Sequence, residues 1–156
     1  MMRVVANLYD QDLVLWSQEQ ARALREEALR GSNARIDWEN VAEEIESLGR
    51  SDRRAVSSHI AIVIEHLMRL QASPAPEPVA GWVDTILRAR AEIEQLLEES
   101  PSLRHEVAAM IGKKLPRVRS LVQSSLRRHD EQPQIDLDHV TYTEDQVLGD
   151  WMPEGG

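Results

Sequence analysis

Few side chains in this sequence are of the kinds that move protons or bind metal ions, and the most suggestive gather in two neighbouring stretches. Glu39, Glu43, Glu44 and Glu46 follow Asp37-Trp38, and His59 and His66 stand in the next segment. A carboxylate beside an imidazole makes a general acid–base pair or two ligands of a metal ion, because imidazole changes charge near neutral pH and ligates as the free base. Glu44 falls about 100° from the centre of its segment's apolar stripe, at the core boundary, whereas Glu39, Glu43 and Glu46 lie opposite the stripe on a face that reads as solvated. If the two segments are helices folded as an antiparallel hairpin across Gly49, Glu44 faces His59 or His66. The competing reading is a hydrogen-bonded pair that orients two helices, and it is favoured. His59 and His66 are seven residues apart, roughly 10.5 Å along a helix axis, too far to share one ion easily. Glu44, His59 and His66 are thus the candidate metal ligands, but no metal or other cofactor is expected.

Much other chemistry is excluded. There is no Cys among the 156 residues, which removes disulfide scaffolds, Cys zinc sites and thiol catalysis. No glycine-rich phosphate loop, HExxH helix, serine elbow or EF-hand loop occurs. A di-iron bundle needs Glu-x-x-His on two helices. The residues three positions before the five histidines are Val56, Val63, Ser102, Leu126 and Asp136, so that motif is absent.

Charge is unevenly distributed. The net charge is −9, from 18 Lys and Arg against 27 Asp and Glu. Between Val107 and His129 no residue is acidic, while Lys113, Lys114, Arg117, Arg119, Arg127 and Arg128 are basic; Asp37 to Gly49 and Asp130 to Glu154 carry only acidic charges. The Lys113–Arg128 segment has the charge to bind phosphate backbones, but the acidic total and the lack of interleaved aromatics argue against a nucleic-acid module. Docking against an acidic stretch of the same chain or of a partner is the preferred reading.

The elements that must position these residues are helical throughout. Leu13, Trp16, Gln20 and Leu24 recur in a first helix from Asp10 to about Leu29, stopped by Gly31 and Asn33. Asp37 caps a second, with Trp38, Val41, Ala42, Ile45 and Leu48 in one stripe and Gly49 at its C-terminus. Ser51 caps a third, whose Val56, Ile60, Val63, Ile64, Leu67 and Leu70 make it the most buried element. Prolines between Ser73 and Pro78 mark a loop, and a fourth helix ends near Glu99. Ser100-Pro101 reads as the start of a fifth, long helix, kinked near Gly112 and Pro116. Thr143 and Gln146 form a capping box for a short terminal helix ending at Gly149. The four Trp residues, at 16, 38, 82 and 151, read as core anchors in a chain without Phe. The expected fold is all-α, a bundle of about five helices in one domain, residues 1–156, with a core over about 9–129 and an ordered tail over about 130–153. Met1 to Leu8 shows no export signal, and no apolar run approaches the ~20 residues of a membrane span. A cytoplasmic protein with no membrane association is expected.

Several of these residues together resemble a known family. Leu13 to Gln20 around Trp16, Asp37-Trp38-Glu39-Asn40, Glu43-Glu44-Ile45-Glu46-Ser47-Leu48-Gly49, His66-Leu67, Trp82 with Thr85-Ile86 and Arg90, Ser100-Pro101-Ser102-Leu103, and Tyr142-Thr143 with Gln146 are similar to the bacterial domain-of-unknown-function family twenty-nine. The likeness runs from about Tyr9 to Pro153. It implies an uncharacterised bacterial helical protein with no established activity. Its motif includes Glu43, Glu44 and His66, which become the candidates to test first for catalysis. Leu70 and Ala89 depart from the family's usual Trp and Gln. The leading expectation is a non-catalytic helical interaction or regulatory module that forms a homo-oligomer or binds a protein partner. The alternatives are an enzyme or metal-binding protein using Glu44 and His66, and nucleic-acid binding through Lys113–Arg128.

Overall fold

A computed structural model describes residues 7–154. Most of the Met1–Leu8 segment, read above as lacking an export signal, lies outside the described residues. The elements in chain order are α1 (Leu8–Gln11), α2 (Leu13–Leu29), α3 (Trp38–Ala72), α4 (Val79–Glu99), a 3-10 helix (Pro101–Glu106), α5 (Val107–Arg128) and α6 (Glu144–Leu148). No strand occurs among the described residues, so the fold is all-α. No described helix is long and apolar enough to cross a membrane. The chain forms two compact units, one from Met1–Ala55 with Leu96–Arg104, the other from Val56–Gln95 with His105–Gly156.

The largest departure from the sequence reading is at Gly49. The expected second and third helices are one uninterrupted helix, α3, and no turn forms between them. Gly49 is there because another backbone passes close by. A Cβ at this position would lie 2.6 Å from Ser17 Oγ and 3.6 Å from Val14 Cα of α2. A glycine inside a helix costs about 1 kcal/mol against alanine, and here close helix contact offsets it. In the first unit the buried face of α2 is therefore Val14, Ser17 and Ala21, small side chains one helical face away from the expected Leu13, Trp16 and Leu24. On α3, Ala42 is buried, but Val41 and Leu48 are exposed.

A prediction follows from this contact. Gly49→Ala should destabilise the protein even though alanine is the better helix former, because the new methyl meets the Ser17 hydroxyl, which is itself held by donation to Val14 O at 2.8 Å. The double substitution Ser17→Ala, Gly49→Ala should recover roughly 1 kcal/mol relative to the sum of the singles. Additive losses in urea unfolding would show that the contact does not govern the position.

In the second unit the C-terminal half of α3 supplies the core, with Val56, Ile60, Val63, Ile64, Leu67 and Met68 fully buried. This is the face the periodicity indicates, except that Met68 replaces the partly exposed Leu70. Ile86, Ala89 and Ile93 of α4, Val107, Val118 and Val122 of α5, and Val147 of α6 are among the residues that join it. α5 runs through Pro116 without a break, but it begins at Val107, because Ser100-Pro101 leads into a 3-10 turn instead. All four Trp side chains are partly exposed, so none is wholly enclosed in the core. Trp16 meets the Tyr9 ring edge-on, with centroids 4.9 Å apart.

Candidate functional site

The proposed acid–base pair does not assemble. Glu44 and His66 belong to the same continuous helix, α3, so the hairpin that would set them face to face is absent. Glu44 is exposed. The His66 ring bonds through Nδ1 to the Ile62 carbonyl one turn back at 2.8 Å, with Glu65 at 3.7 Å. His59 points Nδ1 into the interior with no hydrogen-bond partner. Among the described residues no three His, Asp or Glu side chains gather closely enough to hold a metal ion.

The carboxylates opposite the apolar stripe, Glu39, Glu43 and Glu46, are where the polar structure lies. Arg25 of α2 reaches across to all three, at 3.2 Å to Glu39 and 3.7 Å to Glu43, with a short contact to Glu46. Arg50, one turn beyond Glu46, pairs with Glu43 and lies 3.6 Å from Glu46. Because Gly49 meets the beginning of α2 and Glu39 meets its end, the two helices run antiparallel here. The Arg25 hydrogen bond holds the Glu46 carboxyl below its usual range, against a smaller opposing effect of desolvation. A carboxylate depressed in the fold stabilises it above the ordinary carboxylate pKa, and that contribution is lost as acid protonates it. The network is solvent-exposed, so it fixes helix register more than it stabilises.

A second constellation joins residues far apart in sequence. The Asp12 carboxylate, 5% exposed, accepts from the Leu15 N–H at 2.9 Å, capping α2, and from Ser102 N–H at 2.7 Å and Ser102 Oγ–H at 3.0 Å. In return the Val14 N–H donates to buried Ser100 Oγ at 3.2 Å. Ser100 thus serves the start of α2 rather than the helix that follows it. Elsewhere in the same unit, Asp52 Oδ2 is buried without a partner. Burial, and secondarily Glu99, pushes the Asp52 carboxyl above its usual range. An acid whose folded pKa is raised opposes folding once it ionises, so the penalty is absent in acid and complete above the raised pKa. Asp52→Asn should therefore raise the melting temperature at neutral pH and leave it unchanged below the ordinary carboxylate range. An equal gain at both pH values would disprove the electrostatic origin.

The second unit straps its tail with two arginines. Arg90, 8% exposed, donates to the carbonyls of Val147 at 2.9 Å, Gln146 at 2.7 Å and Trp151 at 2.7 Å. Burial lowers its pKa, partly countered by Asp150. Arg119 donates to Leu137 O at 2.7 Å and Val140 O at 3.0 Å. Tyr142 Oη–H donates to Gln71 at 2.6 Å, and the Thr143–Gln146 capping box forms as the sequence indicates. Part of the basic segment Lys113–Arg128 thus docks on the acidic tail of its own chain, through tail carbonyls at Arg119 and a side chain at Gln123, which donates to Asp138 at 2.9 Å. The sequence reading missed Arg25, Arg50 and Asp12. Arg50 was accessible in principle, since it stands four residues after Glu46, and so was Asp12, three before Leu15.

These features define an all-α protein whose most constrained polar side chains cap, pair and strap helices. The chain belongs to the family described as domain of unknown function DUF29, whose sequence profile matches residues 8–152. It is also similar to a crystal structure of an α-helical protein of unknown function from Rhodospirillum rubrum, 25% identical, with a TM-score of 0.76 over 92% of this chain and 90% of that one. No curated protein matches it.

Proposed function

We propose that the chain is a non-catalytic helical binding module that joins a protein partner or a second copy of itself. The observation that carries this reading is the use made of the family-motif polar residues other than Glu44, which is exposed. Asp37 caps α3 through the Asn40 N–H at 3.3 Å, Glu43 and Glu46 pair with arginines, His66 binds its own helix, Arg90 and Tyr142 hold the tail, and Gln146 completes a cap. Side chains so engaged position helices; a catalytic set needs an acid, base or nucleophile left facing a substrate cleft. Large apolar side chains meanwhile stay exposed, among them Leu48 of α3, Leu87 of α4 and Leu121 of α5. The setting we propose is a bacterial cytoplasm, supported by the absence of Cys and by the bacterial source of the structural neighbour. We further propose that residues 1–156 unfold as one domain, since α3 and α4 each continue from one unit into the other.

Light scattering after gel filtration, over a concentration series at low and high salt, tests the self-association arm. A mass that rises with concentration supports it, and a monomer under every condition removes it. Glu44→Gln and His66→Gln should leave the result unaltered.

A further inference from the structure

Between α3 and α5 of the second unit lies an open groove of about 260 Å³. Ala61 and Ile62 form one wall, Val118 and Leu121 the other, and Lys114 and Arg117 stand at its edge. Leu121 is 51% exposed at its rim, while Val118 is 3% exposed at its floor. Pockets that enclose small ligands hold about 300–1,000 Å³ and bury most of the ligand; this groove is smaller and open, with room for one or two aliphatic side chains. Its charge has one sign. α5 contains no acidic residue, and the nearby Glu65 of α3 is held by Arg69 at 3.2 Å.

Resting on the binding-module reading above, we propose that this groove receives an acidic amphipathic helix of another protein, whose apolar side chains seat on Ile62, Val118 and Leu121 while its carboxylates meet Lys114 and Arg117. Helix-in-groove recognition uses apolar anchors one turn apart, flanked by charge opposite to the rim. A second copy of this chain is a poorer occupant, because part of its acidic charge is already engaged: Glu39, Glu43 and Glu46 by Arg25 and Arg50, Asp136 by His139 and Asp138 by Gln123.

The test is a selection of binders to the full chain from a library of helix-forming peptides in which acidic, basic and apolar residues are equally allowed at every position. The expected winners carry apolar residues one turn apart with Asp or Glu beside them. Their affinity should fall at least roughly tenfold with Leu121→Glu and with the pair Lys114→Glu, Arg117→Glu, and the paired variant should gain affinity for the same peptides made with Lys in place of Glu. All three substituted side chains lie at the surface or its edge, and a circular dichroism melt confirms folding. Winners that are basic, winners insensitive to these variants, or no winners at all overturn the proposal. So does a drop in the chain's own solution mass with Leu121→Glu, which would assign the groove to a second copy and leave the binding-module reading standing. Tight, salt-steep binding of duplex DNA that is lost in the paired variant and kept in Leu121→Glu would overturn it in favour of phosphate recognition. No selected peptide together with a strictly monomeric chain would remove the groove proposal and the self-association arm of the broader reading.

Discussion

Arg90→Ala is expected to cost the fold about 3–5 kcal/mol, because it leaves three tail carbonyls without their donor in a mostly buried setting, each such loss costing about 1–3 kcal/mol before relaxation. The guanidinium is nearly enclosed and makes all three bonds at 2.9 Å or less. It also satisfies the end of α6, whose last carbonyls have no partner within so short a helix. Arg90→Lys should recover little, since one ammonium on a flexible stem does not span carbonyls as a planar fork does. Urea unfolding gives the magnitude. Amide exchange gives the mechanism: protection over residues 143–151 should fall far more than that of Ile60 or Val63. A loss below about 1 kcal/mol, or uniform deprotection, would show that the tail is held by Val147 and Tyr142 packing instead.

Asp12→Ala is the second large effect, expected at about 3 kcal/mol. It removes a helix cap, typically about 1 kcal/mol, together with two further bonds to a buried carboxylate, which are stronger than neutral ones. The donors left behind are the Leu15 and Ser102 backbone N–H groups and the Ser102 hydroxyl. Asp12→Asn keeps an acceptor for the cap and should cost about a third as much. Ser102→Ala removes only the hydroxyl bond and isolates its share. If Asp12→Asn and Asp12→Ala prove equal in chemical denaturation, the charge on the carboxylate, not the cap, governs the site.

What could be read from the sequence was local. Asp37, Gly31 and the Thr143–Gln146 box act on atoms within three or four residues, and each forms as its spacing indicates. Gly49 was misread by the same logic: a glycine after an amphipathic stretch is a stop signal locally, and only the approach of Val14 and Ser17 makes it a contact residue. Asp12 meets partners 90 positions away, and Ser100 one 86 positions away; no period or cap rule reaches that far. The carboxylate face of α3 illustrates a subtler limit. Periodicity places Glu39, Glu43 and Glu46 away from the apolar stripe, which is true, but it does not say that Arg25 waits there rather than water. The candidate pair failed for one reason, the missing turn, since both residues stand in helix as expected.

The tail straps have a consequence for how this chain can vary. Arg90 and Arg119 take hold of five carbonyl oxygens and no side chain of the tail. Every amino acid presents the same carbonyl, so the two arginines register the path of the chain and are indifferent to the letters written along it. Substitutions at Gln146, Val140 or Trp151 that keep the backbone course should preserve the clasp, whereas inserting or deleting one residue between Val140 and Gln146 would put the oxygens held by Arg90 out of step with those held by Arg119. Length, more than composition, is what the two arginines demand of that segment.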